Sequence, residues 1–151
     1  MKKKVSIITI VIAVALLLVI TLTACAKDRK PVSADTFTQK LEALGYTVTE
    51  QATDAAIQKN LLAEKDGDYT VRLSIYTSVQ NAASHYNVFD AYIQQFAKSR
   101  TTASAGNFAY IKVTANDVYY VNYRVENVLL FVEVPKESKT DIDNFLKEIG
   151  Y

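Results

Sequence analysis

The sequence predicts an α+β domain in which an antiparallel sheet has helices packed on one face, with elements in the order α-βββ-α-βββ-α. Two patterns predict this class. Three stretches carry apolar residues at the spacing of an amphipathic helix, and runs of alternating apolar and polar residues lie between them. Because the strands come in runs joined by short turns, they are expected to pair side by side in antiparallel order.

The first helix is predicted to begin after Ser33, a good N-cap residue, and to end at Gly45, which adopts the left-handed conformation at low cost. A short strand follows at 46–48. Residues 51–57 fit either a helical turn or a loop. Two further strands, at 61–65 and 69–76, flank Asp66-Gly67, which is a strong hairpin signal.

Ser78 is predicted to open the longest helix, whose apolar stripe continues to Phe96 and is followed by Lys98 and Arg100. Residues 101–107 are small and polar and are expected to form a mobile connection. Three strands follow at 108–113, 118–125 and 128–134, and Pro135 is expected to end the sheet. Ser138 is expected to cap a last helix with apolar residues at 142, 145, 146 and 149.

The first 25 residues have the three parts of an export signal. Lys2, Lys3 and Lys4 precede an apolar run without charge or proline, and small residues lead to the single cysteine, Cys25. An ordinary secretory cleavage site fits poorly, because Leu22 is large where a small residue is needed. A permanent transmembrane anchor, which needs about 20 apolar residues, stays open as an alternative.

Leu22-Thr23-Ala24-Cys25 resembles the lipobox of bacterial lipoproteins, in which an aliphatic residue, a small residue and Ala or Gly precede an obligatory Cys. The resemblance implies cleavage between Ala24 and Cys25 and diacylglycerol on the Cys25 sulfur. It divides the chain into a signal peptide (1–24), a lipidated tether (25–32) and one α+β domain (33–151). Architecturally, the domain resembles the small α+β lipoproteins of Gram-positive bacteria. The expected location is the extracytoplasmic face of the cell membrane, held there by lipid.

Composition narrows the class of partner. Without residues 1–24 the chain has 14 Lys and Arg against 16 Asp and Glu, a net charge of −2. This balance argues against nucleic acid, which requires a concentrated basic face. With Cys25 lipidated, no thiol remains for a disulfide, so the stability of the domain is expected to come from packing.

No catalytic or metal-binding signature emerges. His85 is the single histidine and is expected to be a partly exposed helix residue, and Asp66 and Asp68 lack the further oxygen ligands of a calcium loop. With four glycines, the chain is not expected to build a glycine-rich phosphate loop. Neither a metal nor a cofactor is predicted.

The candidate binding residues are Tyr119, Tyr123 and Arg124 on the predicted strand 118–125. Tyr119 and Tyr123 share one face of this strand, and Arg124 shares the other with Tyr120 and Asn122. If helices cover one face of the sheet, the other is solvated, and tyrosine and polar side chains there are suited to contact a sugar ring or a peptide. The simpler interpretation, that tyrosine is a good strand former, is favoured because half-exposed tyrosines on sheets are ordinary.

These observations lead to the hypothesis that the domain is a non-enzymatic binding or accessory module that contacts a membrane-complex protein or cell-wall material. The alternatives are a hydrolase acting on wall or peptide substrates, which would need His85 clustered with a carboxylate in a cleft, and a protein inhibitor with a flat binding surface.

Overall fold

The structure, a computed structural model, describes residues 28–67, 69–97 and 100–151. The predicted signal peptide, its cleavage site at Ala24 and Cys25, and Lys98 lie outside the described residues. Among the residues described, no helix has the length and apolar character needed to cross a membrane.

The described chain contains three α-helices and seven strands. The helices are α1 (Ala34–Ala43), α2 (Val79–Gln94) and α3 (Lys139–Glu148), the last preceded by a 3-10 turn at Lys136–Ser138. The strands are β1 (Thr47–Glu50), β2 (Ile57–Lys65), β3 (Tyr69–Tyr76), β4 (Thr101–Ala105), β5 (Phe108–Ala115), β6 (Val118–Val125) and β7 (Val128–Pro135).

The strands form one antiparallel sheet in the order β1-β2-β3-β7-β6-β5-β4. Two meanders, β1 to β3 and β4 to β7, meet where β3 pairs with β7, for example Leu73 with Leu130. The predicted α+β class with an antiparallel sheet is therefore confirmed. One strand was missed: residues 101–105, expected to be mobile, pair with β5 through Ala103 and Tyr110. Threonine and small side chains suit an edge strand but produce no clear alternation of apolar residues.

Helices cover both faces of the sheet, whereas the sequence predicted one. Phe37 and Leu41 of α1 and Ile142, Phe145 and Leu146 of α3 share the main core with alternate residues of β6 and β7. Helix α2 packs on the other face, where Ile93 contacts a second cluster that includes Ile111, Tyr120 and Phe131. Strands β5, β6 and β7 carry large apolar or aromatic residues on both faces of the sheet. The face opposite α1 and α3 is therefore also apolar, and helix α2 shields it from solvent.

The helix ends follow the predicted chemistry in part. The Ser33 and Ser78 side chains accept hydrogen bonds from the backbone N–H groups of Thr36 and Asn81, and Gly45 has φ of 85° after α1. Ser138 precedes α3 but makes no capping hydrogen bond, because the 3-10 turn leads the chain into the helix instead.

Candidate functional site

A cleft of about 630 Å³ lies between helix α3 and the outer part of the sheet, on the face that α1 and α3 cover. Thr101 of β4 and Tyr110 and Lys112 of β5 line it on the sheet side, and Lys139, Asp143 and Lys147 of α3 line it on the helix side. We call this space the basic cleft.

Lys112 occupies a core-side position of the sheet. It pairs with Val121 of β6 and Thr101 of β4, and Val121 is a buried core residue that shares its face. Only 25% of the Lys112 side chain is exposed. A partly desolvated ammonium at such a position is costly unless it is paired, so the partner of Lys112 matters to the fold.

Asp143 is the ion-pair partner of Lys112, and its carboxylate accepts hydrogen bonds from three groups. Its Oδ1 lies 3.2 Å from Lys112 Nζ and 2.7 Å from the Tyr119 hydroxyl, which donates to it, and its Oδ2 accepts from Lys139 Nζ. Burial acts to raise the pKa of the Asp143 carboxyl, but the hydrogen bonds from Lys139, Tyr119 and Lys112 outweigh it and hold that pKa below the ordinary 3.8. Burial and the Asp143 carboxylate raise the pKa of the Tyr119 hydroxyl.

Helix geometry explains why three α3 side chains reach the cleft. Lys139, Asp143 and Lys147 are spaced four residues apart and therefore lie along one face of the helix. Lys147 has no ion-pair partner within the described part of the chain. Arg100 at the rim is paired with Asp90, 3.3 Å away and outside the lining, so the excess of positive charge comes from three lysine side chains against the single carboxylate of Asp143.

An aromatic cluster borders the cleft. The ring of Tyr123 stacks on Tyr110 with centroids 5.1 Å apart and on Tyr151 at 4.6 Å. Tyr110 and Tyr151 line the basic cleft, and Tyr151 and Lys147 also line a neighbouring cavity of about 740 Å³. The two cavities are therefore adjacent along α3.

Residues 28–32, the described part of the predicted tether, lie against the domain. The Arg29 backbone N–H donates to Asn107 Oδ1 at 3.0 Å, and Asn107 Nδ2 donates to the Arg29 carbonyl at 2.7 Å. The Arg29 guanidinium lies 4.4 Å from the centroid of the Phe108 ring. The buried Val32 N–H donates to the Tyr151 hydroxyl at 3.0 Å. We call residues 28–32 the docked segment.

Of the predicted binding residues Tyr119, Tyr123 and Arg124, the two tyrosines do not lie on an exposed surface. Tyr119 and Tyr123 are 1% and 0% exposed and belong to the main core, because α1 and α3 cover their face of the sheet. Arg124 lies on the opposite face, where it lines a groove of about 370 Å³ beside α2. Of these residues, Tyr119 alone lines the basic cleft, where its hydroxyl donates to Asp143.

His85 is exposed on α2, as expected, and its ring packs against Tyr76 with centroids 4.9 Å apart. It makes no hydrogen bond to a described carboxylate or hydroxyl. In the described ranges, no group of three or more His, Cys, Asp or Glu residues is placed to hold a metal ion.

The basic cleft was not predicted from the sequence, although two features of the sequence pointed toward it. Lys112 interrupts the core-side positions of β5, between Tyr110 and Thr114. The spacing of Lys139, Asp143 and Lys147 places one carboxylate between two lysines on a single helix face. Neither signal indicates by itself that the strand and the helix come together.

The sequence matches no protein-family model, and no curated protein matches it. Among solved structures, a chain described as a GTP binding regulator from Thermotoga maritima is similar, with 21% sequence identity and a TM-score of 0.49. The similarity covers 80% of this chain and 88% of that chain. At this level it carries no functional argument.

Proposed function

We propose that this chain is a lipoprotein held by Cys25 on the extracytoplasmic face of the membrane, and that its domain is a non-enzymatic binding or accessory module. The lipobox pattern Leu22-Thr23-Ala24-Cys25 supports the anchor. The basic cleft supports the binding role. Its partner would be a membrane-complex protein or cell-wall material.

The observation that carries the binding role is the way in which the charged groups of the cleft are hydrogen-bonded to one another. Asp143 is hydrogen-bonded by Lys112, Lys139 and Tyr119, which holds it in the ionised form. A carboxylate with a lowered pKa is a weak general base, because the best catalytic bases titrate near the working pH. The arrangement therefore suits holding a ligand better than transferring a proton.

The docked segment supports action close to the bilayer. Asp28 follows Cys25 by three residues, a stretch of chain that reaches at most about 11 Å. Because Arg29 is hydrogen-bonded to Asn107, the described chain contacts the domain almost immediately after this stretch. A lipid on Cys25 would hold the domain near the membrane surface.

The anchor is tested by replacing Cys25 with Ala and labelling growing cells with a radioactive fatty acid. We expect the wild-type chain to be labelled and shortened, and the Cys25→Ala chain to remain unlabelled at precursor length. A variant that is cleaved at the same position without label would show an ordinary secretory signal instead.

The binding role is tested by crosslinking in intact cells, followed by capture of the chain and mass spectrometry. We expect a specific partner that is lost when Lys112, Lys139 and Lys147 are changed to Gln, and retained when Lys59, at the far side of the sheet, is changed to Gln. Turnover of a wall or peptide substrate by the purified chain, abolished by His85→Ala, would support a hydrolase and contradict the proposal.

A further inference from the structure

We infer that the basic cleft binds an oxyanion of the phosphate class, which would contact Lys112 on the sheet side and Lys139 and Lys147 on the helix side. The inference rests on the proposed binding role and names the chemistry of the ligand. Four observations carry it: the position of Lys112, the two lysines that share Asp143, the lack of a carboxylate partner for Lys147 among the described residues, and the shape of the cleft.

Lys112 is the most informative residue. Its ammonium is attached to a strand on the face that forms the main core, and three quarters of its side chain is removed from solvent. An apolar or neutral residue at this position would avoid the cost of burying charge. A partly desolvated lysine is, in contrast, an effective contact for an anion, since attraction between charges strengthens as water is excluded.

Asp143 balances only part of the positive charge. Its two oxygens are divided between Lys112 and Lys139, so a single negative charge serves two ammonium groups. Lys147, one helical turn further along the same face of α3, has no carboxylate partner within the described residues. The cleft therefore retains a net positive charge that a dianionic ligand would neutralise.

The hydrogen-bonding groups of the cleft fit an oxyanion. Each lysine ammonium offers three donors and no acceptor, and Lys is a common phosphate ligand in proteins. The cleft volume of about 630 Å³ accommodates more than a single phosphate, and Tyr110 and Tyr151 contribute ring surface to its wall. The site is thus suited to a phosphate group that is part of a larger molecule.

The test uses the full chain in nanodiscs of phosphatidylcholine, which carry no net charge, and inorganic pyrophosphate as the probe. Binding is measured by isothermal titration calorimetry, with sodium chloride adjusted to keep the ionic strength constant. We expect saturable binding that weakens at least ten-fold in Lys112→Gln and several-fold in Lys147→Gln. Lys59→Gln removes the same charge from an exposed pair with Glu50 and is expected to bind as the wild type does.

The Asp143→Asn variant is expected to change the pyrophosphate affinity in the opposite direction. Removing the carboxylate frees Lys112 and Lys139 and removes a competitor for the ligand, so pyrophosphate is expected to bind several-fold more tightly. If Lys112→Gln fails to fold, Lys147→Gln and Asp143→Asn still test the inference, because Lys147 is an exposed residue and Asp143→Asn is expected to tighten binding.

Equal pyrophosphate affinity in wild type, Lys112→Gln and Lys147→Gln would overturn the inference, as would heat no greater than that from sodium chloride. A second arm distinguishes the source of the phosphate. Nanodiscs given the same negative charge by oleate serve as the reference, because any anionic surface repels pyrophosphate. Relative to these, nanodiscs containing phosphatidylglycerol are expected to weaken pyrophosphate binding if headgroups of the same membrane occupy the cleft, and to give equal binding if the ligand comes from outside the bilayer.

Failure of this inference is separable from failure of the binding role. If the lysine variants still capture the same cellular partner as the wild type, the chain remains a binding module but the cleft is not the oxyanion site. If pyrophosphate binds in the cleft and no partner is captured, the cleft chemistry stands and the partner is a small molecule or a polymer.

Discussion

At the scale of single residues, Asp143 connects the stability of the domain to the charge of the cleft. It accepts hydrogen bonds from β5, β6 and its own helix, and so joins α3 to the sheet through Lys112 and Tyr119. Because three donors surround one carboxylate, Asp143 is expected to contribute more to the free energy of unfolding than an isolated surface ion pair, whose median contribution is about 0–1 kcal/mol.

We predict that Asp143→Asn lowers the free energy of unfolding by about 1 kcal/mol at neutral pH, a modest value because a third of the side chain is exposed to screening solvent. Since the folded-state pKa of Asp143 lies below 3.8, its contribution is present above that pH and is lost as the pH falls further. Chemical denaturation from pH 7 to pH 2.5 should show the two proteins converging in acid. A difference that is constant over this range would mean that ionisation of Asp143 has no part in it.

Tyr123 tests the assignment of the aromatic residues to the core. Its side chain is fully buried and its hydroxyl makes no hydrogen bond within the described residues, and burial raises its pKa to about 12. We predict that Tyr123→Ala costs about 3–5 kcal/mol of stability, as large-to-small changes of buried aromatics do. Tyr123→Phe should stay within about 1 kcal/mol of wild type, because the lost hydroxyl has no partner to leave unpaired. Thermal unfolding distinguishes these outcomes, and a mild Tyr123→Ala variant would place the residue on a surface.

At the scale of elements, the docked segment depends on the turn between β4 and β5. Asn107 makes both hydrogen bonds to the Arg29 backbone, and its Nδ2 also donates to Glu126 Oε1 at 3.0 Å in the turn between β6 and β7. One side chain therefore joins the docked segment to two turns of the sheet.

We predict that Asn107→Ala releases the docked segment while the domain stays folded. Trypsin cleaves after Arg29 but not before Pro31, so the rate of cleavage at the Arg29–Lys30 bond reports on docking. The rate is expected to rise several-fold in Asn107→Ala and to stay unchanged in Asn87→Ala, a substitution at an exposed position of α2. Unchanged cleavage in Asn107→Ala would show that Arg29 and Val32 hold the segment without Asn107.

The elements also show what sequence patterns predict well. The helices and most strands could be predicted, because Ser33, Ser78 and the Asp66-Gly67 turn act locally and their effect does not depend on the rest of the chain. The edge strand β4 could not, since its pairing with β5 is a tertiary property of a segment with little alternation. The basic cleft depends on the same kind of information, because Lys112 and Asp143 are 31 residues apart and meet through the packing of α3 on the sheet.

The placement of the helices bears on whether the chain arose by duplication of an α-βββ unit. The two meanders end in β3 and β7, which are antiparallel neighbours at the centre of the sheet. A two-fold rotation that exchanges antiparallel neighbours is perpendicular to the sheet and keeps each helix on its original face. Because α1 and α2 lie on opposite faces, no such rotation relates the two halves.

At the scale of the whole molecule, the proposed lipid anchor on Cys25, only three residues ahead of the docked segment, would set where the domain acts. We predict that a 20-residue Gly/Ser linker inserted between Lys27 and Asp28 leaves thermal unfolding unchanged, since it adds length ahead of the docked segment and alters none of its contacts. Such a linker has an r.m.s. length of about 25 Å. Crosslinking to a membrane-complex partner should fall strongly in the insertion variant. Full retention of the crosslink would show that the partner is not confined to the membrane surface.

The docked segment also determines how the molecule responds to tension. A pull on the chain ahead of Asp28 reaches the Arg29–Asn107 hydrogen bonds first and the Val32–Tyr151 hydrogen bond next, before it reaches α1. The pull therefore loads these hydrogen bonds one after another. Hydrogen bonds that break in sequence give way at a lower force than the same bonds loaded all at once. Peeling the five residues would add up to about 17 Å of reach. With the proposed anchor and partner, the domain would follow a receding partner over this distance while its sheet and cleft stay intact.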